Sequence, residues 1–189
     1  MWRSAISSER VARALWAAAG LSVFLAAPTA GKTFLSSEEA LALAFPGAVV
    51  ERKVAFLTPE QISAAAALGG VPIPSALIVA YEAIGANGEP LGTAYFDTHR
   101  VRTLPQTIMV VVSPEGAVRR VEVLSFLEPE EYLPRELWYR LFSDRTLTPD
   151  LVVRRAIRPV TGATLTVRAT TEAVRRMLAV HQVLAGGGQ

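Results

Sequence analysis

The stretch "QTIMVVVSPEGAVRRVEVLSF", Gln106–Phe126, decides the fold. Two runs rich in β-branched residues flank Ser113-Pro114-Glu115-Gly116, which carries proline and glycine where a type I turn wants them. Strands joined by so short a connection must lie antiparallel, because a parallel pair needs a crossover of about a dozen residues or more. Working upstream, "PLGTAYFDTH" (Pro90–His99) and "SALIVAYEAIG" (Ser75–Gly85) are β-branched and aromatic runs bounded by turn residues, and "AVVERKVAF" (Ala48–Phe56) reads as another strand. The expectation is an antiparallel meander.

Helix signals gather on either side of these strands. Ser36–Glu39 spells a capping box ahead of "ALALAF", so a short helix starts near Ser37 and ends at the Pro46-Gly47 turn. Thr58-Pro59-Glu60-Gln61 is a second box, with proline at the first helical position, and Gly69-Gly70 ends that helix. "PRELWYRLF" (Pro134–Phe142) reads as a short amphipathic helix. A last helix is expected from about Thr166 to Leu184, stopped by Gly186, Gly187 and Gly188. Strands in the middle with helices at both ends give an α+β class, an antiparallel sheet with flanking helices.

The first 30 residues form a separate segment. A basic region to Arg13 is followed by an apolar run from Ala14 to Ala27, then small residues and a proline, the layout of a secretory signal peptide or an uncleaved membrane anchor. The chain is therefore expected to divide into a leader (1–30), one domain (31–185) and a glycine-rich tail (186–189), and to reside outside the cytoplasm, in the periplasm or cell envelope. Membrane association would come through the leader.

Composition excludes several chemistries. The formal charge of +2 comes from Arg3, Arg10, Arg13 and Glu9; the remainder carries 16 basic and 16 acidic residues, which argues against a nucleic-acid surface. There is no cysteine, so disulfides, thiolate metal sites and haem attachment are absent, and any electron carried here needs an organic cofactor. Two histidines far apart and no Asp-x-Asp pattern give metal chemistry little support. No Gly-x-Gly-x-x-Gly follows a strand and no Walker loop is present.

The chemistry concentrates in "PVTGATLTVRATTEAVRRML", Pro159–Leu178. Thr161, Gly162, Ala163 and Thr164 stand directly before the last helix. Free N–H groups and the positive end of the helix dipole favour an anion there, and the small residues allow close approach of a phosphate. A threonine hydroxyl at that spot could hydrogen-bond a phosphate or be esterified by it. Alternatively Thr161, Thr164 or Thr166 is simply the N-cap, with Gly162 making the turn.

This segment resembles the Ser/Thr-Gly-Ala-Thr motif of the FMN-binding domain family, which includes the C subunit of the sodium-translocating NADH:quinone oxidoreductase and the G subunit of Rnf complexes. The hairpin and following loop (Gln106–Tyr132), "PRELWYRLF", "SSEEALALAFPGAVVERKVAFLTPEQ" and "YFDTHRVRTLPQT" also look like exported single-domain members. The resemblance covers roughly residues 36–184. It implies FMN esterified through its phosphate to Thr164 by a flavin transferase, with Thr161, Gly162, Ala163 and Thr166 forming the cradle. The implied function is one- or two-electron relay between redox partners, membrane-bound ones included. Two departures stand out: Arg158-Pro159-Val160 replaces the family's aspartate-containing approach, and Phe126-Leu127 stand where a histidine is expected before Glu128. These motivate a second expectation, a non-flavinylated relative serving as an envelope binding or assembly module.

Other residues join the candidate list. Arg158 either pairs with the FMN phosphate or is a solvated strand-end arginine. His99 and Arg100, in the turn "THRVRT", either place positive charge beside the flavin ring or form an exposed basic turn. Glu128, Glu130 and Glu131 read as an acidic surface loop, and Tyr132, Trp138 and Tyr139 as core or ring-stacking aromatics. His181 reads as structural, a cation near a helix C-terminus. A threonine hydrolase lacks a matched base.

Overall fold

The computed structural model describes residues 32–187. The leader, and with it the signal or anchor expectation, lies outside them, as do the last two residues of the tail. Among the described residues no helix is long and apolar enough to cross a membrane.

Six strands form one antiparallel sheet: β1 (Lys32–Thr33), β2 (Val49–Phe56), β3 (Leu77–Ile84), β4 (Pro90–Arg100), β5 (Pro105–Val112) and β6 (Val118–Phe126), in the order β1-β6-β5-β4-β3-β2. The expected meander covers β3 to β6; β2 pairs with β3 across an intervening helix and β1 pairs with β6, both antiparallel. The β5–β6 hairpin closes through Gly116 N–H to the Ser113 carbonyl at 2.9 Å, as the Ser-Pro-Glu-Gly turn requires. Four α-helices flank the sheet: α1 (Ser37–Ala44), α2 (Pro59–Gly69), α3 (Glu136–Tyr139) and α4 (Thr164–Gly186). The α+β expectation holds.

Period-two alternation sorts β5 onto two cores. Ile108, Val110 and Val112 point to the face covered by α2, α3 and α4, where they meet Trp138, Phe142, Val174 and Leu178. Met109 and Val111 point to the opposite face, where Ala40 of α1 and Phe45 close a smaller core with Ala83, Ala94 and Leu124. Both faces being covered explains why β5 reads as a nearly continuous apolar run. Each large side chain buried here, Phe126 and Phe142 among them, contributes about 1.5–3 kcal/mol.

Both capping boxes close. The Ser36 hydroxyl accepts from Glu39 N–H and the Thr58 hydroxyl from Gln61 N–H, each at 3.2 Å, with the reciprocal bonds at 2.7 and 2.9 Å. Gly70 ends α2 in the left-handed conformation that glycine tolerates, at φ 62°. "PRELWYRLF" is one turn of α-helix followed by a 3-10 turn, Arg140–Phe142, instead of one continuous helix. Its Trp138, Tyr139 and Phe142 are all buried, so packing, not propensity, decides its shape.

α4 runs about 35 Å at 1.5 Å per residue and begins two residues earlier than the sequence suggests, at Thr164. It lies against the sheet and against α2, where Gly69 permits close approach: a Cβ there would sit 3.2 Å from Ala179 Cβ and 3.4 Å from the Arg175 carbonyl.

Candidate functional site

The start of α4 corrects the simple capping alternative. Its N-cap position is held by Ala163, which has no side-chain acceptor. Gly162, at φ 84°, makes the turn, and Ala163 N–H reaches the Val160 carbonyl at 3.2 Å. None of the three threonines caps the helix. The Thr166 side chain is buried and donates at 2.6 Å to the Tyr132 carbonyl, tying α4 to the loop after β6. Thr161 and Thr164 are exposed. Among the described residues the amides of Thr164, Leu165 and Thr166 find no acceptor, and the first turn carries no acidic side chain. The positive end of a 23-residue helix is therefore open beside the Thr164 hydroxyl.

Thr164 borders a cleft of about 400 Å³ between the end of α2, the 152–154 loop and α4. Helical periodicity brings Thr164, Arg168, Thr171, Glu172 and Arg175 to one side of α4, while Gly70, Val71, Val152, Val153 and Arg154 form the opposing wall. Three arginines face one carboxylate, and that carboxylate is engaged with Arg168 at 3.1 Å. Arg154 holds φ 72°, a conformation unfavourable for a residue with a Cβ, and its N–H is tied to the Ile157 carbonyl at 2.8 Å. Strain at such a position costs about 1–3 kcal/mol and is found preferentially at functional sites.

The remaining candidates are placed elsewhere. Arg158 is exposed, its carbonyl accepting from Trp138 Nε1 at 2.8 Å, and it does not border the cleft. His99 and Arg100 belong to β4, not to a turn, and neither borders the cleft. His99 is half-buried with its side chain largely covered: Nδ1 meets Asp97 Oδ1 at 2.8 Å and Nε2 meets Gln106 Oε1 at 3.3 Å. Asp97 also accepts from Arg176 Nε at 2.9 Å, and Gln106 accepts from Thr170 Oγ1 at 3.2 Å. This network pins the middle of α4 to β4 and β5. Burial alone would raise the Asp97 carboxyl, but hydrogen bonds from His99 and Arg176, with the Arg176 charge, hold it below its ordinary value.

Glu128 is not on the surface, as the acidic-loop reading had it. It is 5% exposed, and its Oε1 accepts from the amides of Arg102, Thr103 and Leu104 at 3.2, 2.6 and 2.8 Å. Burial opposes ionisation, yet these three amide bonds, with the Thr103 hydroxyl, hold its carboxyl below the ordinary value. It anchors the β4–β5 turn. Arg102, in that turn, stacks over Tyr132 at 5.2 Å. Trp138 and Tyr139 are core residues. His181 is structural as expected, but burial pulls its imidazole down from the ordinary value, which favours the neutral form over a dipole-stabilising cation. It meets the Tyr95 hydroxyl at 2.9 Å.

Arg154, Arg168, Arg175 and the valine wall were not among the sequence candidates. Spacing along α4 signals Arg168 and Arg175, four and eleven residues beyond Thr164; nothing local signals Arg154 or Val71, which only folding brings there. No family model, curated protein or solved structure matches this chain.

Proposed function

We propose that this protein is an extracytoplasmic electron-transfer domain that carries FMN, esterified through its phosphate to Thr164 by a flavin transferase. One observation carries the reading: the Thr164 hydroxyl is exposed at an uncapped helix N-terminus and borders a cleft large enough to receive a ring system. The residues present fit the group. Thr164 would hold the phosphate covalently, with the open amides of the first turn and Arg168 offsetting its charge. Val71, Val152 and Val153 offer apolar surface to the ring. When bound, the flavin supplies one- and two-electron chemistry that this chain's side chains do not. A covalent tether keeps the cofactor on a protein outside the cell, where dilution would strip a free ligand.

The test is co-expression with a flavin transferase, followed by denaturation and intact-mass measurement. The expected result is a stoichiometric FMN increment that disappears in Thr164→Ala. An increment that persists in that variant removes the assignment.

Arg158 favours a second reading. Its exposed side chain occupies the approach to the motif where the resembled family carries an aspartate. If a transferase reads that position, the chain is an unflavinylated envelope binding or assembly module. An unmodified intact mass beside a competent transferase selects this reading.

A further inference from the structure

Arg175 differs from the other arginines of the cleft. It is 8% exposed, yet its guanidinium has no carboxylate within 4.0 Å among the described residues. Its partners are three carbonyls: Nε donates to Gly69 at 2.7 Å, and Nη1 to Thr148 at 2.8 Å and Leu151 at 3.2 Å. Nη2 has no acceptor among the described residues. No buried side-chain nitrogen or oxygen among the described residues lacks a partner, so Nη2 is not sealed in. It lies 3.6 Å from where a Cβ on Gly70 would sit, and Gly70 and Arg175 both border the cleft. Burial pulls the guanidinium down from its ordinary value, with no opposing charge to offset it. A buried cation is ordinarily paired. Here the two nitrogens bonded to carbonyls fix the plane of the group, and the third presents N–H toward the cleft.

We propose that the floor of this cleft is an oxyanion subsite built on Arg175, which takes a negatively charged oxygen through Nη2. Only the identity of the occupant rests on the flavin reading. Arg175 is about 16 Å along α4 from Thr164 at 1.5 Å per residue, a span suited to a ligand that is tethered by a phosphate at one end and ends in a ring at the other. Two-electron reduction of a flavin takes up two electrons and one proton and leaves one negative charge on the pyrimidine edge of the ring. A flavin on Thr164 is one source of the oxyanion; a free phosphate is the other.

Two measurements on the full chain separate them. In the first, the Arg175 Nε–H resonance of the apoprotein is followed during titration with inorganic phosphate. In the second, chain shown by intact mass to carry FMN is titrated potentiometrically with dithionite as the reductant. Arg175→Gln removes the charge, and Arg175→Lys keeps it while losing the planar fork. Arg52→Gln, an exposed position on β2, controls for net charge, and circular dichroism checks folding.

If the flavin ring is the occupant, Arg175→Gln weakens the preference for reduced over oxidised flavin about tenfold, about 30 mV for a two-electron couple, while Arg52→Gln leaves it unchanged. If the occupant is a free oxyanion, the potential stays put and phosphate gives a saturable shift of the Arg175 resonance in the wild-type chain, while the same titration followed at the Gly70 amide, beside Nη2 in the cleft, is weakened about tenfold in Arg175→Lys. A potential unmoved in folded Arg175→Gln together with no saturable phosphate shift in the wild-type chain overturns the subsite, and the phosphate arm needs no variant to fold. Absence of FMN from the intact mass removes the flavin reading alone, and the phosphate titration then decides.

Discussion

At the scale of single residues, two buried acids do unlike work. Asp97 and Arg176 form an ion pair in the interior, with His99 on the second carboxylate oxygen. Removing one partner of such a pair leaves an uncompensated charge, at a cost of about 3–5 kcal/mol. Asp97→Ala is therefore expected to lower the melting temperature by about 10 °C, at roughly 2–4 °C per kcal/mol for a domain of this size. Adding Arg176→Met removes the stranded charge and should recover at least part of that loss, which a double-mutant cycle by thermal melting reads directly. Glu128 instead serves three amides of one turn. Glu128→Ala leaves those donors without their shared acceptor, and denaturant titration should show a loss of about 2 kcal/mol.

Among the elements, the β3–β4–β5 region depends on one glycine. Gly92 sits at φ 137° next to a register shift in the β3–β4 ladder, and a Cβ there would come 2.5 Å from the Val112 carbonyl oxygen. That oxygen belongs to the backbone of a neighbouring strand and cannot swing aside. Gly92→Ala combines an unfavourable dihedral with a backbone clash, so a loss of about 3 kcal/mol or more is expected in chemical denaturation. Gly116, also at positive φ, has no atom near its missing Cβ. Gly116→Ala meets only the dihedral cost, about 1–2 kcal/mol, and the contrast between the two variants isolates the steric part. For α4 the element-scale feature is its open start. A 23-residue helix held by Thr166, Thr170 and Arg176 along its length tolerates an uncapped first turn that a short isolated helix would not.

For the molecule as a whole, three enclosed groups make stability fall toward acid pH. The carboxyls of Asp97 and Glu128 and the imidazole of His181 are all depressed in the folded state. In each case the unfolded chain binds more protons, so stability rises with pH. Their contributions are fully present above the unfolded values, about 6.5 for histidine and about 4 for the carboxylates. As pH falls, the His181 contribution is lost first, as the solution passes below about 6.5 toward its depressed folded value; those of Asp97 and Glu128 follow below about 4. Melting temperature scanned from neutral to acid pH should fall in two stages. His181→Gln should flatten the first and leave the second.

The antiparallel meander of β3 to β6, both capped helices and the α+β class were determined by sequence alone, because each rests on interactions within a few residues: turn chemistry, alternation and reciprocal caps; the pairing of β2 with β3, which are joined through α2, was decided by the fold. The glycine turn before α4 was equally legible. Tertiary structure decided which threonines are free, since burial of Thr166 against the Tyr132 carbonyl depends on a loop more than thirty residues away. It also decided that His99 is tied to Asp97 and Gln106, that Glu128 faces inward, and that Arg175 and Arg154 share a cleft with Thr164. Polar side chains can satisfy themselves against any partner the fold brings near, and that choice is made by long-range packing.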